Sequence, residues 1–395
     1  MKAFLILEDG TVFEGTHIGA EKEIISEIVF DTAMVGYLDV LTDPSYAGEA
    51  VCMTYPLIGN YGICKDDMQS LKAWPDGFIV RELSRIPSNF RCEVTIQEFL
   101  KENNIPGIAG IDTRALTKIL RDKGTMNGMI TTNANYVLDD VIALLKAHKV
   151  GDVVSKVTCK EKYTVAPVTD LAANGPQSGS SRFDKAAFES GVKEPKPTGI
   201  KELSGKGLNV AILDLGVKAG MISAFASRGC NVTVYPASTS AEEIIASKPD
   251  GIMISNGPGD PKENGAVIEE VKKIYNTDIP VMAIGLGHQL LALATGGDTY
   301  KMPCGHRGGN NAAKDLESGR VRIVAQCHGY AVDADKLDSN VAVPAFVNVN
   351  DGTVEGVSYK GKKIISVQFH PEAFGGAHTS SYLYEMFMSM MKGEN

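Results

Sequence analysis

The chain has 395 residues, 44% of them hydrophobic and 22% charged, with 48 acidic against 39 basic side chains for a net charge of −9. That length suits roughly two domains, each large enough to bury its own core, and the acidic balance argues against nucleic acid or an anionic membrane as the main partner. Seven scattered cysteines without a Cys-x-x-Cys pattern fit a reducing compartment and offer no metal site.

The chain opens with "MKAFLILEDG", whose apolar run at residues 3–7 is too short for a secretory h-region. No apolar run reaches the ~18 residues of a membrane span, so the expected location is cytoplasmic. The stretches "KAFLILEDGTVFEG" and "SEIVFDTA" read as strands, and "LTDPSYAGEA" and "YPLIGNYG" as turns. "GIDTRALTKILRDKG" predicts a helix with Asp112 or Thr113 as N-cap, an apolar stripe of Leu116, Ile119 and Leu120, and Gly124 just past its end. Residues 1–155 form a first domain of mixed α/β character. A linker is expected over 156–206, where "NGPQSGSS" and "KEPKPTG" replace large apolar residues with Gly, Pro and Ser.

Past residue 207 short apolar runs alternate with helical segments. Strands are expected at 209–215, 231–236, 251–255, 281–284 and 364–369, with helices in "GMISAFASRG", "AEEIIASK", "AVIEEVKKIYN" and "HQLLALATGG". Near-continuous apolar strands between helices imply a mostly parallel sheet covered on both faces, and ligands bind such sheets beyond the carboxyl ends of the strands.

Three segments lie at those ends. "SNGPGDP" at 255–261 holds Gly257 and Gly259, which suit either an anion cradle or a self-satisfied turn. "MAIGLGHQ" reads as a strand, a sharp turn at Gly285 and a helix carrying His288 and Gln289. Enzymes place a nucleophile at such an apex, but glycine has no side chain to attack with. Taken alone, His288 reads as a packed or capping residue and Gln289 as a solvated one. "QFHPEA" places His370 two residues before Glu372, so that a carboxylate can hold the imidazole tautomer while the ring accepts a proton; a surface His-Pro turn is the competing reading.

Together, in this order, the three segments resemble a triad-type, class I glutamine amidotransferase. With "FDTAMVGYLDVLTDPSYAGEAVCMTYPLIGNYG", "IPSNFR", "GIAGIDTRALTKILRDKG", "GHRGGN" and "HGYAVD", the resemblance extends over both halves to the small subunit of carbamoyl phosphate synthetase. It implies a class I amidotransferase-like domain over 207–395 and a large-subunit contact in residues 1–155. In that family the small subunit hydrolyses glutamine and passes ammonia through a tunnel to a large subunit. There ATP, with magnesium, drives carbamoyl phosphate synthesis for arginine and pyrimidines. No cofactor is expected on this chain, which has no Gly-x-x-x-x-Gly-Lys-Ser/Thr loop.

Carried over by position, the resemblance makes His370 the general base and Glu372 its orienting carboxylate. Leu286 supplies the backbone N–H after the nucleophile. Ser45, Gly257, Gly259, Gln289, Gly329 and Tyr330 fall on glutamine contacts, and Cys327 stands where the family has a contacting asparagine. The nucleophile does not carry over: the family reads "GICLGHQ" and this chain "AIGLGHQ", with Gly285 in place of cysteine. Loss of a triad nucleophile costs about a million-fold in kcat in a protease. Further departures stand at Ala219-Gly220, in "GGNNA" and in "HPEAFGGA". They favour a small subunit whose glutaminase has decayed over an active one in which cysteine was replaced at a single position. The alternative from another class is a non-catalytic regulatory or scaffold homologue.

Overall fold

Strands Lys2–Leu7 and Val12–Gly19 pair antiparallel, turning at Gly10 with φ +85°. Five more close them into a barrel, in the order Lys2–Leu7, Val12–Gly19, Pro106–Ala109, Gly77–Val80, Glu49–Met53, Ile24–Asp31 and Met126–Thr131. Inward residues of these strands, among them Leu5, Leu7, Ile28, Ile79, Ile108 and Ile130, pack with Leu116 and Leu120 of helix Thr113–Lys123. That helix starts as expected: the Asp112 carboxylate accepts the Ala115 N–H at 3.0 Å and occupies the N-cap.

The computed structural model describes residues 1–167, 205–372 and 380–394, divided into two compact units. The barrel unit comprises Met1–Val153 and Met302–Gly308; the second comprises Val154–Lys301 and Gly309–Asn395. Two details depart from the sequence reading. Residues 154–155, expected in the first domain, and 156–167, expected in the linker, belong to the second unit: Tyr163–Val165 adds an antiparallel edge strand to Asn231–Pro236, and Cys159 N–H donates to buried Asp214 at 2.7 Å. The rest of the expected linker, 168–204, lies outside the described residues. Met302–Gly308 belongs to the barrel unit because Arg307 is held there. Its guanidinium pairs with Glu49, Nε to Oε2 at 3.1 Å, and its carbonyl accepts the Thr32 N–H at 3.2 Å.

The second unit carries the expected parallel block, in the order Asn231–Pro236, Asn209–Asp214, Gly251–Ile254, Val281–Ile284 and Ile364–Val367. Alternate residues of each strand face opposite ways: Val281 and Ala283 pack with Leu290, Leu291, Val271 and Ile274, whereas Met282 and Ile284 pack with Met221, Phe225, Leu383 and Phe387. Helices Leu286–Ala294 and Gly265–Tyr275 therefore cover one face, and Ala219–Ala226 and Tyr382–Lys392 the other. Beyond Ile364–Val367 the sheet continues antiparallel through Val354–Tyr359, Ala342–Asn348, the long strand Thr299–Asp315 and Val321–Val332, an extension the sequence reading did not foresee.

Candidate active site

Three neighbouring parallel strands deliver the site. After Gly251–Ile254 the chain turns through Ser255, whose hydroxyl accepts the Leu215 N–H at 2.9 Å and donates to Asn256 O at 2.8 Å. Gly257 follows in close contact: a Cβ there would lie 2.2 Å from Leu215 O, so only glycine fits. Gly259 takes φ +87°, completing the turn.

On the adjoining strand, Gly285 sits at φ +57°, ψ −115° between Ile284 and helix Leu286–Ala294. Its N–H donates to Val367 O at 3.0 Å, fixing the turn against the next strand. A Cβ built at Gly285 would meet Asn256 Cβ at 3.2 Å and Gln368 O at 4.0 Å, so the apex faces both flanking strand ends. The helix beginning there leaves the Leu286 N–H among the donors without an intrahelical partner. His288 turns inward, its Nδ1 2.7 Å from Ser366 Oγ, and burial pushes its imidazole down to about 3. It is a packed histidine.

Strand Ile364–Val367 leads to Gln368 and His370. His370 Nδ1 lies 2.9 Å from Glu372 Oε1, and its N–H donates to Ala325 O at 2.9 Å. Burial alone would raise the Glu372 carboxyl. The charges of His370 and of Lys218, whose Nζ lies 3.4 Å away, override it and hold the group at about 2. An ionised carboxylate only accepts, so His370 Nδ1 donates to it, and it is the neutral form of the ring that keeps a lone pair at Nε2. That Nε2 is buried without a hydrogen-bond partner among the described residues. The dyad is set for proton transfer at Nε2, and the elbow has no thiol to supply the proton.

Gln289 is 3% exposed rather than solvated: its Nε2 donates to Tyr330 O at 2.7 Å and to Gln368 Oε1 at 2.9 Å. Tyr330 O also lies 2.8 Å from His328 Nδ1, and Cys327, Gly329 and Tyr330 share strand Val321–Val332, with Cys327 half-buried. Ser45 lies in the barrel unit, on the turn Pro44–Tyr46, where its N–H donates to Asp43 Oδ1 at 2.8 Å. Ala219 and Gly220 begin helix Ala219–Ala226; residues 373–377 of "HPEAFGGA" lie outside the described residues. Sequence reasoning missed Lys218 and Gln368 as members of the cluster. Gln368 sits directly past strand Ile364–Val367, and Lys218 is the N-cap of helix Ala219–Ala226 after strand Asn209–Asp214; position near a strand end was the signal available.

The chain matches the family "Carbamoyl-phosphate synthase small chain, CPSase domain" over residues 5–130 and "Glutamine amidotransferase class-I" over 211–390. It is 47% identical over 388 residues to the carbamoyl phosphate synthase small chain of Clostridium perfringens, covering 98% of this chain and 99% of that one. The chain belongs to the carbamoyl phosphate synthase small chain family. The small chain of Fusobacterium nucleatum is 43% identical (97% and 96% covered), and that of Syntrophotalea carbinolica 42% identical (99% and 98% covered). Family membership thus spans both units and includes the class I amidotransferase domain that holds Gly285, His370 and Glu372.

Proposed function

We propose that this chain serves as the small subunit of a carbamoyl phosphate synthase whose own glutaminase step is lost, so that the complex draws on free ammonia. The observation that carries this reading is Gly285 at the apex of an otherwise complete elbow. Covalent amide hydrolysis of this type needs a thiolate to attack the carboxamide carbon and an imidazole to manage its proton. His370 and Glu372 retain the second half, and glycine removes the first. The Leu286 N–H is the oxyanion donor in this scheme, and Gly257, Gly259, Gln289, Cys327, Gly329 and Tyr330 are the glutamine contacts within the second unit. Cysteine in the asparagine position at 327 weakens that set.

ATP chemistry with magnesium belongs to a large subunit in this reading, with the first 155 residues as its contact. The cytoplasm is the compartment that fits seven free cysteines.

The deciding experiment is carbamoyl phosphate formation by this chain with its large subunit, glutamine against ammonium as nitrogen donor. Synthesis from ammonium alone is the expected result. Comparable synthesis from glutamine overturns the lost glutaminase and directs attention to Cys327. Synthesis indifferent to the presence of this chain favours a regulatory or scaffold role.

A further inference from the structure

Gln368 lies on the strand end between the elbow and the histidine, 1% exposed, and belongs to none of the roles above. Its backbone N–H donates to Glu355 O at 2.9 Å, and its carbonyl stands 4.0 Å from where a Gly285 Cβ would be. Its side chain closes a short relay. The Tyr330 carbonyl has no proton to give, so the Gln289 amide must turn its NH2 toward it, at 2.7 Å. The second NH2 proton goes to Gln368 Oε1 at 2.9 Å. Gln368 is thereby oriented in turn, with its own Nε2 buried and without a partner among the described residues. Both protons of the Gln289 amide are consumed by the protein, and its Oε1 accepts no hydrogen bond from the described residues.

We propose that Gln368 is a positioning residue that locks the Gln289 amide, so that the pocket presents Gln289 only as an acceptor and selects ligands carrying a free α-ammonium group. This rests on the reading of the pocket as an amino-acid amide site. A donor on the ligand matches the one open atom of the lock, whereas a ligand without it leaves Gln289 Oε1 unpaired, the kind of mismatch that polar sites reject most strongly. Without Gln368 the amide keeps only one anchor, at Tyr330, and is free to twist about it.

The test is calorimetric titration of the full chain with L-glutamine and with 4-carbamoylbutanoate, which is glutamine without its amino group. The unmodified chain is expected to prefer glutamine by roughly tenfold or more. Gln368→Met fills similar volume but offers Gln289 only a weak thioether acceptor, and should bring that ratio close to one. Gln368→Glu keeps an acceptor and should retain the preference, which a merely space-filling role would not distinguish from Met. An unchanged ratio in Gln368→Met overturns the lock while leaving the amide-site reading intact. Failure of the unmodified chain to bind either ligand overturns that reading and the lock with it. Should Gln368→Met fail to fold, hydrogen exchange of the Gln289 side-chain amide in the unmodified chain decides: both protons slowed support the lock, and exchange at the free rate refutes it.

Discussion

At Gly285 the backbone holds φ +57° and ψ −115°, a region that costs an L-residue on the order of 1–3 kcal/mol. An elbow with cysteine at its apex accepts that strain because the bend projects the sulfur; glycine removes the strain together with the nucleophile. Gly285→Cys is therefore expected to lower the melting temperature. The new Cβ comes to 3.2 Å from Asn256 Cβ, a contact the neighbour can yield to by a few tenths of an ångström. Ammonia release by this variant should rise above background yet stay well below that of cysteine-bearing relatives. Cys327 and the altered "HPEAFGGA" segment are unrepaired, and full recovery would refute accumulated decay. His288, two residues into the helix, makes a second prediction. Its imidazole is held neutral by burial down to about pH 3, whereas in the unfolded chain it titrates near 6.5. Between those values the unfolded state binds a proton that the folded state refuses, so stability is complete above pH 6.5 and falls as the pH drops toward 3. Urea unfolding should show an additional slope approaching about 1.4 kcal/mol per pH unit in that window, and His288→Asn should remove it. Glu372 acts in a lower window, its contribution fading between its ordinary 4.5 and about 2.

Among the elements, helix Leu286–Ala294 depends on glycine for a different reason. A Cβ at Gly287 would stand 2.3 Å from Ile254 O, a backbone atom of the neighbouring strand that has nowhere to go. Gly287→Ala should cost about 1–3 kcal/mol through overpacking. At the first residue of helix Gly265–Tyr275 nothing lies within 4 Å of an added Cβ, and Gly265→Ala should be neutral or stabilising by up to about 1 kcal/mol. Chemical denaturation of the two variants side by side checks the contrast. The parallel strands and their helices were legible to within a few residues because strands buried on both faces must be apolar throughout, which leaves a signal in the sequence. The strand Thr299–Asp315 left none: "TYKMPCGHRGGNNAAKD" has neither alternation nor an apolar run, and its ladder partners, such as Asn348 opposite Ala313, are remote in the chain. The barrel strands could be read singly, but closure joins segments as distant as Leu5 and Ile130.

Across the whole molecule, Arg307 decides where a seven-residue segment belongs. Its side chain is 2% exposed against Glu49 at 17%, and it holds Met302–Gly308 within the barrel unit. Arg307→Ala would leave the Glu49 carboxylate half-buried and unmatched by its guanidinium, at a cost of about 3–5 kcal/mol. Differential scanning calorimetry should register this as a lowered transition for the barrel unit, and an unchanged thermogram would refute the anchoring role. The sequence by itself determined the alternation of apolar strands and helices, the three polar segments at the strand ends and the glycine at the apex, because each of these is a matter of residue type and local spacing. Tertiary structure alone decided that Lys218 meets Glu372, that Gln289 is clamped between Tyr330 and Gln368, and that Arg307 pairs with Glu49. Those partners stand tens to hundreds of residues apart, and only the folded sheet and barrel bring their charges and hydrogen-bonding groups within reach of one another.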